Sequence, residues 1–337
     1  MAAKFQSPQL TFTPPLLNSA TPWASSEEDL AALYHSPHTG AVTTRTSLLV
    51  QGFPENKAVH QAVLFSTTDT KVADASLNTY GYSPHPLDYY LTSIKNIITA
   101  SKTPQSKPFI ISITGDPTEI QNAVTKIAAF AKENSYELLV EINLSCPNIA
   151  GKPPPAYNLT GLQSYLKALS TLTLAVPIPI GLKTPPYTHD DQYRVLIDAL
   201  KQHPDAVSFI TSTNTLGSSL HLSSPPSLAM GRRTVYQPTL SSESGTGVGG
   251  LGGSCIHWLS LGNVATIRKL LNAEEELKGI SVIGVGGVAN KGAWERMLSV
   301  GAVAVGVGTA VGCHGVGVFE MIVNGQTSTE TEYSVRI

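Results

Sequence analysis

Cysteine is scarce in this chain: 337 residues contain Cys146, Cys255 and Cys313 and no others. Their odd number and wide spacing argue against a disulfide framework and leave no Cys-x-x-Cys metal site, so no metal is expected and a reducing compartment is implied. Long apolar runs are also missing. No stretch reaches the roughly 18 residues that a membrane helix needs, and Met1 to Pro8 has no apolar signal core, so a cytoplasmic protein is expected. Charged residues make up only 14%, and 22 Lys+Arg stand against 24 Asp+Glu. With no basic cluster, nucleic acid is not an expected partner. A surface this lightly charged points instead to subunit contacts. No Gly-x-Gly-x-x-Gly follows the first apolar run, which argues against a Rossmann dinucleotide site.

The chain does have an alternation. Eight short apolar runs can be placed at 15–18, 41–45, 109–113, 138–143, 178–183, 207–211, 281–287 and 302–308. Helical stretches lie between most of them: Ser26 to His35 with Ser25 or Ser26 as cap, Leu87 to Ser101, Pro117 to Asn134, Leu159 to Thr171, Asp190 to His203, Leu259 to Leu277 and Gly292 to Ser299. Alternating strands and helices predict an α/β fold with a parallel sheet. On pattern alone the sheet is either a closed (β/α)8 barrel or a doubly wound open sheet. A single domain over 1–337 is expected, because barrels commonly reach this size as one unit.

Two segments interrupt the alternation. Thr46 to Tyr90 is polar and turn-rich, with Val59 to Phe65 as a possible extra strand, and Leu216 to Gly253 is dense in Ser, Pro and Gly. Loops this long are usually functional or disordered. Both follow barrel strands, so both should gather at the catalytic face. The second ends in Gly245 to Gly253, which has a linker's composition but a position that favours backbone approach to a cofactor.

The run Leu138-Leu139-Val140-Glu141-Ile142-Asn143 ends in Leu144-Ser145-Cys146-Pro147-Asn148. It reads as a buried strand that delivers polar side chains and one thiol to the end where a barrel keeps its active site. The segment after it, rich in Pro and Gly with Lys152, cannot continue as helix or strand and should arch over that end. Gly284-Val285-Gly286-Gly287 and Gly306-Val307-Gly308-Thr309 follow the last two strands, where barrels often hold a phosphate on backbone N–H groups. Lys183 ends the fifth run, where a buried lysine needs an anionic partner.

Asn143 to Asn148, with Gly151-Lys152-Pro153, resembles the signature of the soluble, fumarate-using class of dihydroorotate dehydrogenases, and the likeness extends over about residues 14–322. The resemblance decides for the (β/α)8 barrel and implies an FMN enzyme of pyrimidine synthesis, expected as a homodimer. It implies Cys146 as the base that takes the C5 proton of dihydroorotate, with Ser145 the next candidate. Substrate contacts are implied at Arg45, Asn78, Tyr80, Gly81, Tyr82, Asn143, Pro147, Asn148, Asn214 and Thr215. Asparagine suits that task, offering donor and acceptor without charge. FMN contacts are implied at Ala20, Arg45, Asn143, Lys183, Gly252, Gly253, Gly286, Gly287, Gly308 and Thr309, and fumarate as the acceptor that reoxidises the flavin. Two other readings stay open: a related FMN oxidoreductase for another dihydropyrimidine or enoate, and a flavin-binding protein without turnover.

The sequence departs from the family pattern in places. Arg45 stands for a lysine, and the two are not interchangeable at a tight site. Thr215 stands for a serine, Asn18-Ser19-Ala20-Thr21 for Asn-Ala-Ser-Gly, and His257-Trp258 for Lys-Pro. The tail over 323–337 is polar and β-prone where the family continues with a long helix.

Overall fold

In the computed structural model, which describes residues 10–68, 72–101, 107–149, 151, 153–224 and 234–326, the strands follow in chain order. They are β1 (Leu16–Asn18), β2 (Val42–Thr43), β3 (Ala62–Phe65), β4 (Ala75–Asn78), β5 (Phe109–Ile113), β6 (Leu138–Asn143), β7 (Ile180–Thr184), β8 (Phe209–Ser212), β9 (Leu216–Ser219), β10 (Leu222–Ser223), β11 (Gln237–Pro238), β12 (Gly249–Gly253), β13 (Ser281–Val285) and β14 (Ala304–Val307). Eight of them, in the order β1-β14-β13-β8-β7-β6-β5-β2, form one parallel sheet. A bridge from Leu17 to Ala41 joins its two ends and closes the barrel. All eight apolar runs are barrel strands. β2 is shorter than its run because Arg45 N–H leaves the ladder for the Ala24 carbonyl.

Strand alternation sorts the apolar residues into two cores. Leu17, Ala41, Ile110, Leu139, Phe209, Ile283 and Ala304 fill the barrel interior. Their neighbours, such as Leu16, Val42, Ile111, Val140, Ile142 and Leu182, face outward into a larger core under the helices. Gly181 gives the inner core room, since a Cβ there would lie 2.3 Å from the Phe209 ring.

The helices are α1 (Glu27–His35), α2 (Leu87–Ala100), α3 (Pro117–Asn134), α4 (Leu159–Ser170), α5 (Asp190–Gln202), α6 (His257–Ala273), α7 (Lys291–Ser299), α8 (Thr309–His314) and α9 (Val318–Asn324). Ser26, of the two serines considered, caps α1 in a reciprocal box with Asp29, and Asp116 caps α3 in the same way with Glu119. α6 begins two residues before the expected start and stops at Ala273, leaving Glu275–Leu277 as a separate 3-10 turn. α8 and α9 were not legible, being short and interrupted by Gly315 and Gly317.

A second, antiparallel sheet in the order β3-β4-β12-β9 sits at the strand-end face and unites the two insertions. The extra strand expected near 59–65 is β3. The glycine-rich segment is a strand as well: β12 pairs Gly250–Gly253 with Asn78–Ala75. Close approach requires glycine here, because a Cβ on Gly249 would lie 2.3 Å from the Asn78 carbonyl oxygen. Lys152, part of the second insertion (225–233) and the tail from 327 onward lie outside the described residues. No helix among the described residues is long and apolar enough to cross a membrane.

Candidate active site

The C-terminal ends of the barrel strands and the second sheet enclose a cleft. Every residue assigned above to catalysis, substrate or cofactor lines this one cleft, from Ala20 to Thr309, except the alternative base Ser145. Ser19, Thr21, Trp23, Thr46, Ser76 and Thr213 line it too and were not anticipated. Most of them stand just past a barrel strand, which is the signal that could have found them. Ser145 is not in the wall. It is buried beneath, where its hydroxyl donates to Asn143 Oδ1 at 2.9 Å and accepts from Asn214 Nδ2 at 2.9 Å. A hydroxyl committed in this way is a poor base, and Cys146 alone of the two faces the cleft.

Two cations and no carboxylate line the cleft. Lys183, at the end of β7, is 3% exposed and has no hydrogen-bond or ion-pair partner among the described residues. An unpaired buried ammonium is costly, so the site favours an anion. Arg45 is instead well held. Its guanidinium donates to Ser25 Oγ and Glu55 Oε1, each at 3.3 Å, and lies 5.2 Å from the centroid of the Tyr80 ring. The planar fork thus spans a loop carboxylate and an aromatic face, contacts that a lysine could not all make.

Burial pushes the Cys146 thiol above its ordinary value, and the Asn148 backbone N–H, Lys183 and Arg45 pull against it. Burial also raises the pKa of the Tyr82 hydroxyl, as does the nearby Cys146. The Asn148 side chain turns to the second sheet, donating to Asn78 Oδ1 at 3.0 Å and to the Tyr80 carbonyl at 2.9 Å. It ties the Cys146 loop to the β4 end. Pro147 packs under Gly217, where a Cβ would lie 2.7 Å away.

The opposite wall is mostly backbone. Gly253, Gly286 and Gly287 have φ of 84°, 143° and 65°, values that L side chains rarely adopt. Thr309 Oγ1 meets Ser76 Oγ at 2.7 Å, tying α8 to β4. Behind the Gly286 turn lies His257, 4% exposed, whose Nδ1–H donates to the Gly286 carbonyl at 2.9 Å while Nε2 accepts from Arg296 Nε at 3.2 Å. Arg296 also stacks over Trp258 at 5.3 Å. The His257-Trp258 pair is thereby explained as the two supports of one arginine. Burial lowers the His257 pKa, as does the Arg296 charge, against the opposing effect of the Gly286 carbonyl.

A sequence profile described as dihydroorotate dehydrogenase matches residues 8–328. The chain is 32% identical over 312 residues to a dihydroorotate dehydrogenase (fumarate) of Trypanosoma cruzi, covering 91% of this chain and 87% of the relative. It is 29% identical over 317 residues to dihydroorotate dehydrogenase A (fumarate) of Lactococcus lactis, covering 93% and 89%. Its fold is similar to that of a ligand-free DHODH crystal structure from Eimeria tenella, with TM-score 0.67 at 17% identity over 94% of this chain and 86% of that one.

Proposed function

The chain belongs to the dihydroorotate dehydrogenase family, and from that premise we propose that it oxidises (S)-dihydroorotate to orotate in pyrimidine synthesis, with FMN as cofactor and fumarate as electron acceptor. The observation that carries the reading is the cleft, in which Cys146, four asparagines and two cations surround one volume at the barrel mouth. The cleft's own chemistry fits FMN. Thr21 Oγ1 is buried in its wall with no hydrogen-bond partner, Lys183 is an unpaired buried cation, and the Gly252, Gly253, Gly286 and Gly287 backbones leave space for an anion to approach. Lys183, Thr21, Ala20 and the glycine turns would hold the cofactor, with Gly308 and Thr309 beside them. FMN bound there supplies the two-electron acceptor for hydride from C6 of dihydroorotate and, once reduced, the donor to fumarate.

The chain's own residues do the rest. Cys146, as thiolate, takes the C5 proton. Asn78, Asn143, Asn148 and Asn214 offer amides to a flat pyrimidine ring, and Arg45 attracts its carboxylate. The second sheet lines the cleft opposite the thiol through Ser76, Asn78, Gly252 and Gly253. A homodimer is also part of the proposal, supported by the exposed Leu220, Leu222 and Tyr236 on the second insertion. The cytoplasm is the compartment proposed.

An anaerobic visible spectrum tests the reading. Purified protein should show a flavin spectrum that bleaches with dihydroorotate and recovers with fumarate. A flavin that dihydroorotate leaves unchanged, but another dihydropyrimidine bleaches, would move the substrate; absence of flavin would overturn the whole reading.

A further inference from the structure

The turn after β13 holds a peptide between two glycines, and such a peptide has little preference of its own for which way it faces. Gly286 and Gly287 have φ of 143° and 65°, and with no Cβ on either side the unit between them can rotate at small cost. Its two ends have opposite chemistry. The bond is trans, so the Gly286 carbonyl and the Gly287 N–H point in opposite directions.

The carbonyl end is fixed. It meets His257 Nδ1 at 2.9 Å, and His257 lies outside the cleft wall that both glycines line. A carbonyl only accepts and an arginine only donates. Nδ1 must therefore carry the proton, and Nε2 must accept the Arg296 Nε–H, 3.2 Å away. The ring has one tautomer and one orientation that satisfy both partners. No ion pair among the described residues claims Arg296, and the Trp258 ring covers its guanidinium at 5.3 Å. His257 also backs the turn directly, since a Cβ on Gly287 would lie 2.7 Å from its own Cβ.

The N–H end is open. With the carbonyl turned to His257, the peptide directs the Gly287 N–H the other way, toward the cleft, and that N–H makes no hydrogen bond among the described residues. Backbone N–H groups presented by such turns are what anion-binding concavities are made of.

We propose that His257, fixed by Arg296, is a positioning residue for this turn: by holding the Gly286 carbonyl behind the wall it presents the Gly287 N–H to the phosphate of the bound flavin. The inference rests on FMN being the cofactor, as proposed above, and adds which residues of α6 and α7 set the phosphate end of its site. Neither side chain lines the cleft. The device is built on the His257-Trp258 pair, which departs from the family pattern.

Binding of two flavins to the flavin-stripped, full-length chain separates positioning from mere support. FMN carries the phosphate and riboflavin lacks it, the ring system being the same. His257→Phe keeps a ring and removes both of its hydrogen bonds. FMN affinity, read from quenching of flavin fluorescence, should then fall about tenfold while riboflavin affinity stays unchanged. Arg296→Met, which frees the histidine ring to turn over, should weaken FMN in the same selective way and serves if the first variant does not fold. The double variant should lose no more than His257→Phe alone. Equal losses for the two flavins, no loss for FMN, or losses that add would overturn the proposal. In protein labelled with ¹⁵N-glycine, the Gly287 amide signal should move when inorganic phosphate is added to the wild type and stay still in His257→Phe. Should the wild type bind neither flavin, the proposed function falls and that titration alone decides the role of His257. A signal that phosphate moves in both proteins alike, or in neither, would overturn it.

Discussion

The base proposed at Cys146 faces two opposed demands, since a base must be ionised and desolvation by the surrounding protein resists ionisation of a thiol. Burial wins, holding the pKa above the ordinary thiol value despite Lys183, Arg45 and the Asn148 N–H. The thiol is therefore largely protonated near neutrality, and the rate of flavin reduction by dihydroorotate should rise with pH through the alkaline range. Stopped-flow traces across pH check this. Cys146→Ala should slow that step by about 10²- to 10⁴-fold, the usual worth of a general base, and abolish the rise. Cys146 and the four asparagines were named in the sequence through the family resemblance, and all five line the cleft. Trp23 and Ser76 were not legible, because each reaches the cleft from an element outside the barrel strands.

Between elements, the corner of α6, β13 and α7 shows how a turn is held from behind. His257 must be neutral to accept from Arg296 at Nε2. Its pKa, lowered by burial, means that the folded chain binds fewer protons than the unfolded chain below about pH 6.5. Stability should therefore fall as pH drops through 6.5 toward the depressed folded value. Thermal melts from pH 7 to pH 5 check the sign, with His85 and His314, both lowered by burial, adding to the slope. His257→Gln should cost about 1 kcal/mol at pH 7, the worth of a buried hydrogen bond, and flatten that slope. All eight barrel strands could be read from sequence because two-faced burial leaves near-continuous aliphatic runs. β12 could not. Strand signals reside in side chains, and a run of Gly-Gly-Leu-Gly-Gly has almost none; its structure comes from β4, itself concealed in Ala-Ser-Leu-Asn.

At the scale of the whole molecule, the cleft leaves Lys183 without a counter-charge while two sheets close around it. An anionic cofactor should therefore stabilise the entire fold and not only the site. Melting of flavin-stripped protein should move upward with added FMN, by about 2.7 kcal/mol of stability at a hundredfold excess over the dissociation constant. Lys183→Met should raise the melting temperature of the stripped protein and shrink the gain from FMN, which differential scanning calorimetry can separate. β1 also pairs with β14, so the first barrel strand joins the last one made. During synthesis Leu16 and Leu17 leave the ribosome long before Val305 and Gly306 exist to receive them. The growing chain passes most of its time as an open ribbon with an unsatisfied edge, and the walls that face each other across the cleft meet only when translation is nearly over.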